Sequence, residues 1–450
     1  PKQQGFDEYV GIPYSNDMWP VDLEGNPITK PGAYKQDLPI LSIYDGNEPS
    51  IYLRNLKDQE QITRVLTQRS VQFIEKNKNK PFFVYLPHSM PHVPIAASPA
   101  FQGKSKQGLY GDMMMEVDWS IGEIINTLKK NHLEENTLVI FTSDNGPWIN
   151  YGNHAGSTNG LREGKGTSFE GGQRVPFIAY WKGKIQAGQI SNKLAAAIDV
   201  LPTIVQVTHA KLPKKKIDGV SIWPILQGDK QAEPRKDFLY YYRKNNLEAV
   251  RKGDWKLVLP HPGRTYEGFL PANDGLAGQV NENASILQGL YDLRRDPGER
   301  YDVQAKYPEK VKELLLLADR AREELGDDLT QKKGKENREI GHIKKPNVVY
   351  IYADDLGYGE LGAYGQKIIK TPYLDALAKQ GIKFTQHYTS APVCAPARCM
   401  LLTGKHAGHS QIRGNHELGG FTDETERGQM PLEVNTFTLG SLMKKAGYQT

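Results

Sequence analysis

A cysteine and an arginine stand four residues apart in the segment 392–404, with a proline midway between them. Pro396 is favoured in the first turn of a helix, and Gly404 is typical of the position just past a helix end. The spacing predicts a helix that begins at or just after Cys394, where unpaired backbone N–H groups favour negative charge. Arg398 lies one turn further along a similar face. A lone cysteine more often packs in a core, but this spacing places a nucleophile and a guanidinium where a tetrahedral oxyanion would bind.

Carboxylates follow two apolar runs of the sequence. Asp354 and Asp355 come soon after the run 347–352, and Asp144 and Asn145 come soon after the run 137–142. Adjacent carboxylates repel each other unless a cation or a proton compensates their charge. Oxygen ligands of this kind suit calcium or magnesium, and no spacing of histidines and cysteines suggests zinc. Each dipeptide alone is typical of a turn, but their joint position after apolar runs favours a metal site.

The apolar runs are typical of strands that are buried on both faces. They occupy 81–86, 137–142 and 347–352, and helical periodicity marks 54–76, 109–130 and 371–380. The alternation predicts an α/β fold with a mostly parallel central sheet flanked by helices. In open sheets of this kind, functional groups gather at the carboxyl ends of the strands. The carboxylates above and the histidine-containing loop 87–92 follow such ends.

A second group of elements is predicted further along the chain. Short strands are expected at 238–243, 248–250, 255–259 and 290–293, and a helix at 308–325. These predict a smaller subdomain made of an antiparallel sheet and a helix. The stretch 327–345 is polar, charged and aperiodic, as in a chain terminus or linker.

Composition excludes several classes of protein. The chain has 450 residues with a formal charge of +5, 38% hydrophobic and 24% charged residues, and two cysteines. Two cysteines cannot form a disulfide scaffold. Apolar runs are too short for a membrane span, and no signal-peptide pattern opens the sequence. Basic runs lack interleaved aromatic residues, so we expect no nucleic-acid partner.

Several stretches together resemble the signature of one family. They are 352–357 (YADDLG), 394–398 (CAPAR), 412–415 (IRGN), 142–146 (TSDNG) and 164–172 (GKGTSFEGG). They are similar to motifs of the type I, formylglycine-dependent sulfatases, in the arylsulfatase and N-acetylgalactosamine-sulfatase branch of the alkaline phosphatase superfamily. The resemblance covers nearly the whole chain. It implies an alkaline-phosphatase-like fold and hydrolysis of sulfate esters.

The resemblance also implies the roles of individual residues. Cys394 would be oxidised to formylglycine, whose hydrate is the nucleophile, by a formylglycine-generating or sulfatase-maturating enzyme. Arg398 would hold the hydrate, while Lys165 and His92 would contact the sulfate and His92 would assist proton transfer at the leaving oxygen. His88 in the same loop is the alternative for that last role. The implied ligands of one Ca²⁺ ion are Asp354, Asp355, Asp144, Asn145 and the modified Cys394.

The substrate is expected to be a sulfated saccharide, because the galactosamine-sulfatase branch is the nearest match. Trp148 and Tyr151 are candidates for stacking on a sugar ring. Other candidates for the substrate pocket, with structural roles as the alternative, are His154, Arg162, Arg413 and Asn415. Two other functions stay open: a phosphodiesterase or phosphonate hydrolase of the same superfamily, and a non-catalytic glycan-binding homologue. The expected location is periplasmic, secreted or lysosomal.

The order of the segments is unusual for this family. The resemblance makes 345–450 the first part of the catalytic domain and 1–235 its remainder, followed by the smaller subdomain 236–326 and the polar tail or linker 327–344. A Gly-Lys-x-His segment expected after 446–450 does not occur. Either the chain is circularly permuted or two pieces stand in reversed order. The second is favoured, because a permutation would cut the chain inside the active site. A break in the backbone between 341 and 346 would support it.

Overall fold

A computed structural model of the chain describes residues 2, 5–22, 26–28, 35, 38–212, 216–335, 347–415, 432–446 and 448–450. The predicted break between 341 and 346 lies outside the described residues. The strands are β1 (Val10–Gly11), β2 (Ser42–Asp45), β3 (Glu48–Tyr52), β4 (Phe83–Pro87), β5 (Thr137–Ser143), β6 (Arg174–Tyr180), β7 (Gln189–Ser191), β8 (Ala195–Ala196), β9 (Asp237–Tyr242), β10 (Asn246–Lys252), β11 (Trp255–Val258), β12 (His261–Thr265), β13 (Asn281–Ile286), β14 (Gly289–Asp292), β15 (Asn347–Ala353) and β16 (Ile382–Tyr388). The helices are α1 (Leu56–Gln59), α2 (Ile62–Asn77), α3 (Gly108–Lys130), α4 (Glu170–Gln173), α5 (Val200–Val207), α6 (Trp223–Leu226), α7 (Pro308–Leu325), α8 (Pro372–Gln380), α9 (Cys394–Thr403) and α10 (Leu439–Lys445).

The central sheet is mostly parallel and has the strand order β4-β15-β5-β6-β16-β7, with β8 also paired to β16. β4, β15 and β5 are parallel neighbours, whereas β6 runs antiparallel between β5 and β16. Because β4, β5, β15 and β16 point the same way, the loops that follow them all lie at one end of the strands, the C-terminal end of these four. The loop that precedes the reversed strand β6 lies at that same end. Five loops from distant parts of the sequence therefore meet there.

Alternation along the strands divides the interior into two cores. In β15, Val349 and Ile351 pack with α2, α3 and α8 on one face of the sheet. Val348 and Tyr350 pack with α5, α6 and α10 on the other. Successive strand residues point to opposite faces, so a strand covered on both faces is apolar at every position. This confirms the prediction from the unbroken apolar runs.

The smaller sheet is antiparallel, in the order β14-β11-β10-β9, and packs against α7. Its core also contains Ala397 and Met400 from α9. The helix that starts at Cys394 therefore lies between the two sheets. The predicted helix 308–325 has the bounds of α7, and the predicted strands of this region are β9, β10, β11 and β14.

Two predicted elements differ from the structure. The single helix expected at 54–76 is interrupted, because α1 ends at Gln59 and α2 begins at Ile62. The stretch 327–345 begins as folded chain, since the buried Asp327 carboxylate accepts hydrogen bonds from the amides of Leu247 and Leu329. Composition alone cannot predict such a contact. A polar side chain can be buried when hydrogen-bond partners surround it, and those partners come from other parts of the chain. In the described part of the chain, no helix combines the length and apolar character of a membrane span.

Candidate active site

Helix α9 begins at Cys394, as the cysteine, proline and arginine spacing predicted. Val393 caps it in an extended conformation, and Gly404 ends it at a φ of 66°, in the left-handed region that glycine tolerates. The Ala395 N–H, one of the free donors of the first turn, is taken by the Asn415 side-chain oxygen at 3.0 Å. The Asn415 amide in turn lies 3.4 Å from the Cys394 sulfur. Asn415 thus belongs to the immediate surroundings of Cys394.

The Cys394 side chain is 5% exposed and lies beside carboxylates. Burial raises the pKa of the Cys394 thiol to about 12, and Asp354 and Asp144 add to the rise while Lys165 opposes it. Without a bound cation, the thiol therefore stays protonated near neutral pH. Because the thiolate is the reactive form of cysteine, the unmodified side chain is a poor nucleophile at this position.

Two carboxylates converge on Cys394 from the ends of β5 and β15. Ligand atoms of Asp144, Asp354 and Cys394 all lie within 4.8 Å of one another, and all three residues are buried. Buried oxygens without a hydrogen-bond partner occur here on Asp144 (Oδ2), Asp354 (Oδ1) and Asn145 (Oδ1). Burial and the charge of Asp354 raise the pKa of Asp144 well above its usual value. Buried carboxylate and amide oxygens that accept no hydrogen bond are suitable ligands for a divalent cation such as Ca²⁺.

Asp355 links the neighbouring carboxylate Asp144 to Asn145 and Lys165. It has a φ of 62°, and its amide donates to Asp144 Oδ1 at 3.0 Å. Its carboxylate accepts from Asn145 Nδ2 at 2.5 Å and from Lys165 Nζ at 2.6 and 2.7 Å. The Lys165 ammonium, which is 3% exposed, therefore contacts the Asp355 carboxylate from the loop before β6.

Arg398 and His92 are two further residues that lie close to the carboxylates. Arg398 lies with Nε 3.4 Å from Asp144 Oδ2 and with NH2 3.2 Å from Asp354 Oδ2. His92 approaches from the loop after β4, with Nε2 3.6 Å from Asp355 Oδ2. Its Nδ1 lies 2.6 Å from the Val93 carbonyl oxygen, which can only accept, so Nδ1 carries a proton. Nε2 is therefore the ring nitrogen that faces the site.

The structure also separates the two histidines of this loop. His88 is fully buried, its Nε2 lies 3.1 Å from the Ser120 hydroxyl, and burial lowers its pKa to about 4. That places His88 in the core beneath the site. Trp148 lies against His92 with ring centroids 5.7 Å apart, and Lys165 Nζ lies 4.7 Å from the centre of the Trp148 ring. Tyr151 packs on Trp148 at 5.0 Å.

Three other predicted substrate-binding residues have different surroundings. Arg162 pairs with Glu267 at 2.9 Å and lies over the Phe169 ring. Arg413 donates to the Ser410 carbonyl oxygen at 2.9 Å. His154 is half-buried at the end of the 3₁₀ segment Ile149–His154. The partners named here for Arg162 and Arg413 lie outside the carboxylate cluster.

Sequence reasoning missed two residues that shape the site. Asn16, fully buried, donates to the carbonyl oxygens of His92 at 3.4 Å and Pro94 at 2.9 Å, which fixes the His92 loop. Arg264, on β12, donates to the Lys165 carbonyl oxygen at 3.3 Å, with its guanidinium carbon 6.0 Å from the Trp148 ring centre. Neither belongs to a motif. Asn16 and Arg264 lie on segments far from the Cys394 region in sequence, and only the folded chain brings them close.

The loop after Asp355 provides a pH test of the fold. Glu360 is buried and its carboxylate accepts from the Ser157 amide. Burial raises the pKa of Glu360 to about 7 from the ordinary 4.5. The folded protein thus keeps a proton that the unfolded chain loses at lower pH, so this group's stabilisation is full below pH 4.5 and disappears as the pH rises through 7.

Glu360→Gln mimics the protonated carboxyl, and we expect it to remove this dependence. Relative to the wild type, the variant should gain about 3 kcal/mol in unfolding free energy between pH 5 and pH 8. Urea unfolding at pH 5, 6, 7 and 8 measures the difference. Glu309→Gln, at an exposed position of α7, is the matched control and should show no such trend. A constant difference between Glu360→Gln and the wild type would contradict the assignment.

Comparison with known proteins agrees with this geometry. The sulfatase family model matches residues 1–210 and 346–450, and a model of the C-terminal region of aryl-sulfatase matches 234–347. N-acetylgalactosamine-6-sulfatase of Mus musculus is 34% identical over 317 residues, which are 67% of this chain and 58% of that protein. Arylsulfatase A of Bos taurus is 33% identical over 330 residues, 70% of this chain and 63% of that protein. The chain thus spans about three fifths of the length of these relatives.

Solved structures give the same result. The PsFucS1 sulfatase from Pseudoalteromonas sp. superposes with a TM-score of 0.59 at 26% identity, covering 70% of this chain and 65% of that one. A Bacteroides thetaiotaomicron protein, solved in work on the metabolism of multiple glycosaminoglycans, has a TM-score of 0.51 at 29% identity and covers 71% and 67%. With a family model matched over more than half of its length and a carboxylate cluster at the start of α9, the chain belongs to the sulfatase family of the alkaline phosphatase superfamily.

Proposed function

We propose that the protein hydrolyses sulfate esters of a sulfated saccharide, with the nucleophile built from Cys394. The observation that carries the proposal is the position of Cys394 at the start of α9, within 4.8 Å of oxygens from Asp144 and Asp354. Arg398 contacts both carboxylates, and Lys165 lies on the same cluster through Asp355. This arrangement gathers a nucleophile position, an acidic metal site and two cations around one point.

The residues that would hold calcium are Asp144, Asn145, Asp354, Asp355 and the modified Cys394. If all three carboxylates are charged, they outnumber the two permanent cations, Arg398 and Lys165, and burial, together with this excess of negative charge, is what raises the pKa of Asp144. A divalent cation reverses the excess and leaves the site suited to a sulfate monoester anion. When bound, Ca²⁺ supplies a Lewis acid that withdraws electron density from a sulfate oxygen.

Modification of Cys394 accounts for the chemistry that its thiol cannot perform. When present, formylglycine supplies, as its hydrate, an oxygen nucleophile that can release sulfate by returning to the aldehyde. Arg398 lies one turn along α9 and donates toward the negative charge at that position. Asn415, 3.4 Å from the Cys394 sulfur, fixes the other side of the residue. A formylglycine-generating or sulfatase-maturating enzyme is the partner that this step requires.

The remaining residues bind the ester and serve its leaving oxygen. Lys165 Nζ donates to sulfate oxygens, where charge is highest. His92 presents Nε2 to the site while Nδ1–H is held by the Val93 carbonyl oxygen. In the imidazolium form, in which both ring nitrogens carry protons, Nε2 can deliver its proton to the leaving alcohol. Trp148 and Tyr151 offer aromatic faces beside His92 for a sugar ring. Relatives that act on N-acetylgalactosamine-6-sulfate by name support a saccharide substrate.

Three broader assignments belong to the same proposal. The catalytic domain would comprise 345–450 and 1–235. Residues 236–326 would form the smaller subdomain, and 327–344 would be a polar tail or linker whose first residue, Asp327, is anchored to that subdomain through Leu247. His154, Arg162 and Arg413 would contribute to a more distant part of the substrate surface. The family resemblance supports a periplasmic, secreted or lysosomal location, where sulfated glycans occur.

The test is release of sulfate by protein that was co-expressed with a maturating enzyme. Peptide mass spectrometry first verifies the conversion of Cys394, and metal analysis counts the calcium bound per chain. A generic aryl sulfate and a panel of defined sulfated mono- and oligosaccharides then serve as substrates. We expect one calcium per chain and hydrolysis that depends on the conversion. Two metals per chain with phosphodiester hydrolysis, or no hydrolysis by fully converted, calcium-loaded protein, would contradict the proposal.

A further inference from the structure

A cluster of buried charges lies between the smaller sheet and the loop that carries Lys165. We call it the buried charge cluster, and it consists of Glu170, Arg251, Lys256, Glu299 and Tyr388. All five residues are at most 1% exposed, and the Lys256, Glu170 and Glu299 side chains meet in ion pairs. Lys256 lies on β11 of the smaller sheet, whereas Glu170 follows Lys165 by five residues. The cluster therefore connects the two sheets through the active-site loop.

Lys256 is the centre of this connection. Its ammonium lies 2.8 Å from the Ser168 carbonyl oxygen, 3.1 Å from Glu170 Oε1 and 2.7 Å from Glu299 Oε1. The other oxygen of Glu299 accepts the Glu170 amide at 2.7 Å. The ammonium of Lys256 thus contacts the segment just after Lys165 at both a backbone and a side-chain oxygen.

Glu170 extends the contacts toward the cysteine. Its carboxylate accepts the hydroxyl groups of Tyr240, at 2.9 Å, and of Tyr388. Tyr388 ends β16, and the next residue, Thr389, donates its amide to the Gln173 carbonyl oxygen at 2.9 Å. The Gly166 amide donates to the Pro392 carbonyl oxygen at 2.8 Å. The Lys165 loop and the segment that leads to Cys394 are therefore joined to each other and to Glu170.

The energetics of such a cluster favour a role in geometry. Buried ion pairs lose hydration that their attraction seldom more than repays, so they are weak sources of stability. Lys256, Arg251 and Arg174 hold the pKa of Glu170 at about 2 although its burial opposes this, which keeps the carboxylate charged and its contacts strong. A buried cluster of directional hydrogen bonds and ion pairs restricts the loop to one arrangement more tightly than apolar packing would.

We propose that Lys256, through Glu170 and Glu299, is a positioning residue that holds the Lys165 loop where Lys165 can meet the sulfate. The smaller sheet is then a working part of the active site rather than an appendage to it. The catalytic arm of this inference rests on the proposed sulfatase activity, whereas its structural arm does not. Misplacement of a binding group by about 1 Å can cost about 100-fold in rate, so the position of the loop is expected to matter.

The structural arm uses hydrogen exchange followed by mass spectrometry. In Lys256→Met, amides in 164–172 are expected to exchange at least about tenfold faster, while peptides of α2 and β4 stay unchanged. If this variant does not fold, Lys256→Met with Glu299→Gln removes the unpaired carboxylate and is measured instead. Lys252→Met, an exposed lysine of β10 paired with Glu313, is the matched control and should leave 164–172 unchanged. Unaltered exchange in 164–172 of a folded Lys256 variant would overturn the inference.

The catalytic arm is a double-mutant cycle on kcat/KM for an aryl sulfate. We expect Lys256→Met to lower kcat/KM about 100-fold, and Lys165→Met combined with it to stay within about threefold of Lys165→Met alone. Such non-additivity shows that Lys256 acts through Lys165, which a general loss of stability would not produce. Losses that simply multiply would overturn the inference. If converted wild-type protein releases no sulfate, the proposed function fails, and hydrogen exchange still decides the role of Lys256.

Discussion

Replacement of Cys394 by alanine is expected to abolish sulfate release, with a loss of about 10,000-fold or more in kcat. The side chain that would carry the nucleophile is removed, while α9 is unaffected because alanine is a strong helix former. Peptide mass spectrometry should show a thiol replaced at position 394 in the converted wild-type protein and no conversion in the variant. Calcium binding should weaken as well, since the modified residue is one of the proposed ligands.

The chain provides a matched control in its second cysteine. Cys399 lies on the same helix, is buried, and contacts the Ser410 hydroxyl at 3.0 Å. Cys399→Ala removes an equal volume from a similar environment, so it reports the cost of a small cavity in α9 without touching the site. We expect most of the activity to remain in this variant. Equal losses in both variants, or full activity in protein whose Cys394 is an unmodified thiol, would rule out the assigned nucleophile.

Asp355→Asn is expected to remove calcium and to lower kcat/KM by about 1,000-fold. Asparagine tolerates the left-handed conformation that Asp355 adopts at a φ of 62°, so the backbone should keep its path. The variant loses one negative charge next to Asp144 and deprives Lys165 of its carboxylate partner. A hard divalent cation loses an anionic ligand, and Lys165 is no longer held toward the sulfate position.

Metal analysis after dialysis and titration calorimetry with Ca²⁺ would measure the first effect, and aryl sulfate kinetics the second. Asp319→Asn is a suitable control, because Asp319 is an exposed aspartate of α7 whose contact is with Arg322. The control should bind calcium with the stoichiometry of the wild type. Unchanged calcium stoichiometry in Asp355→Asn would show that this carboxylate is not a ligand, whatever happens to the rate.

The sequence determined the local parts of the candidate site. Cys394, Pro396 and Arg398 define the start of a helix through propensity and spacing alone, and the structure has that helix. The apolar runs before Asp144 and Asp354 predicted strands covered on both faces, and neighbouring parallel strands do bring those carboxylates together. Such features depend on contacts within a few residues or on the alternation of side chains along a strand, and both are visible in a linear sequence.

Only the tertiary structure decided how distant residues meet in the site. The family resemblance named Lys165, but its contact with Asp355 depends on β6 running against its neighbours, and no local pattern specifies the direction of that strand. The interruption between α1 and α2 and the anchoring of Asp327 were likewise missed by periodicity and composition. The ion pairs of Lys256 join residues that are far apart in sequence, and so does the pair of Arg162 and Glu267. Nothing in the sequence near these residues indicates which partner each would have. The sequence shows that a residue is charged but not whether its side chain faces water or a buried partner. The partner is determined only when the sheets pack against each other.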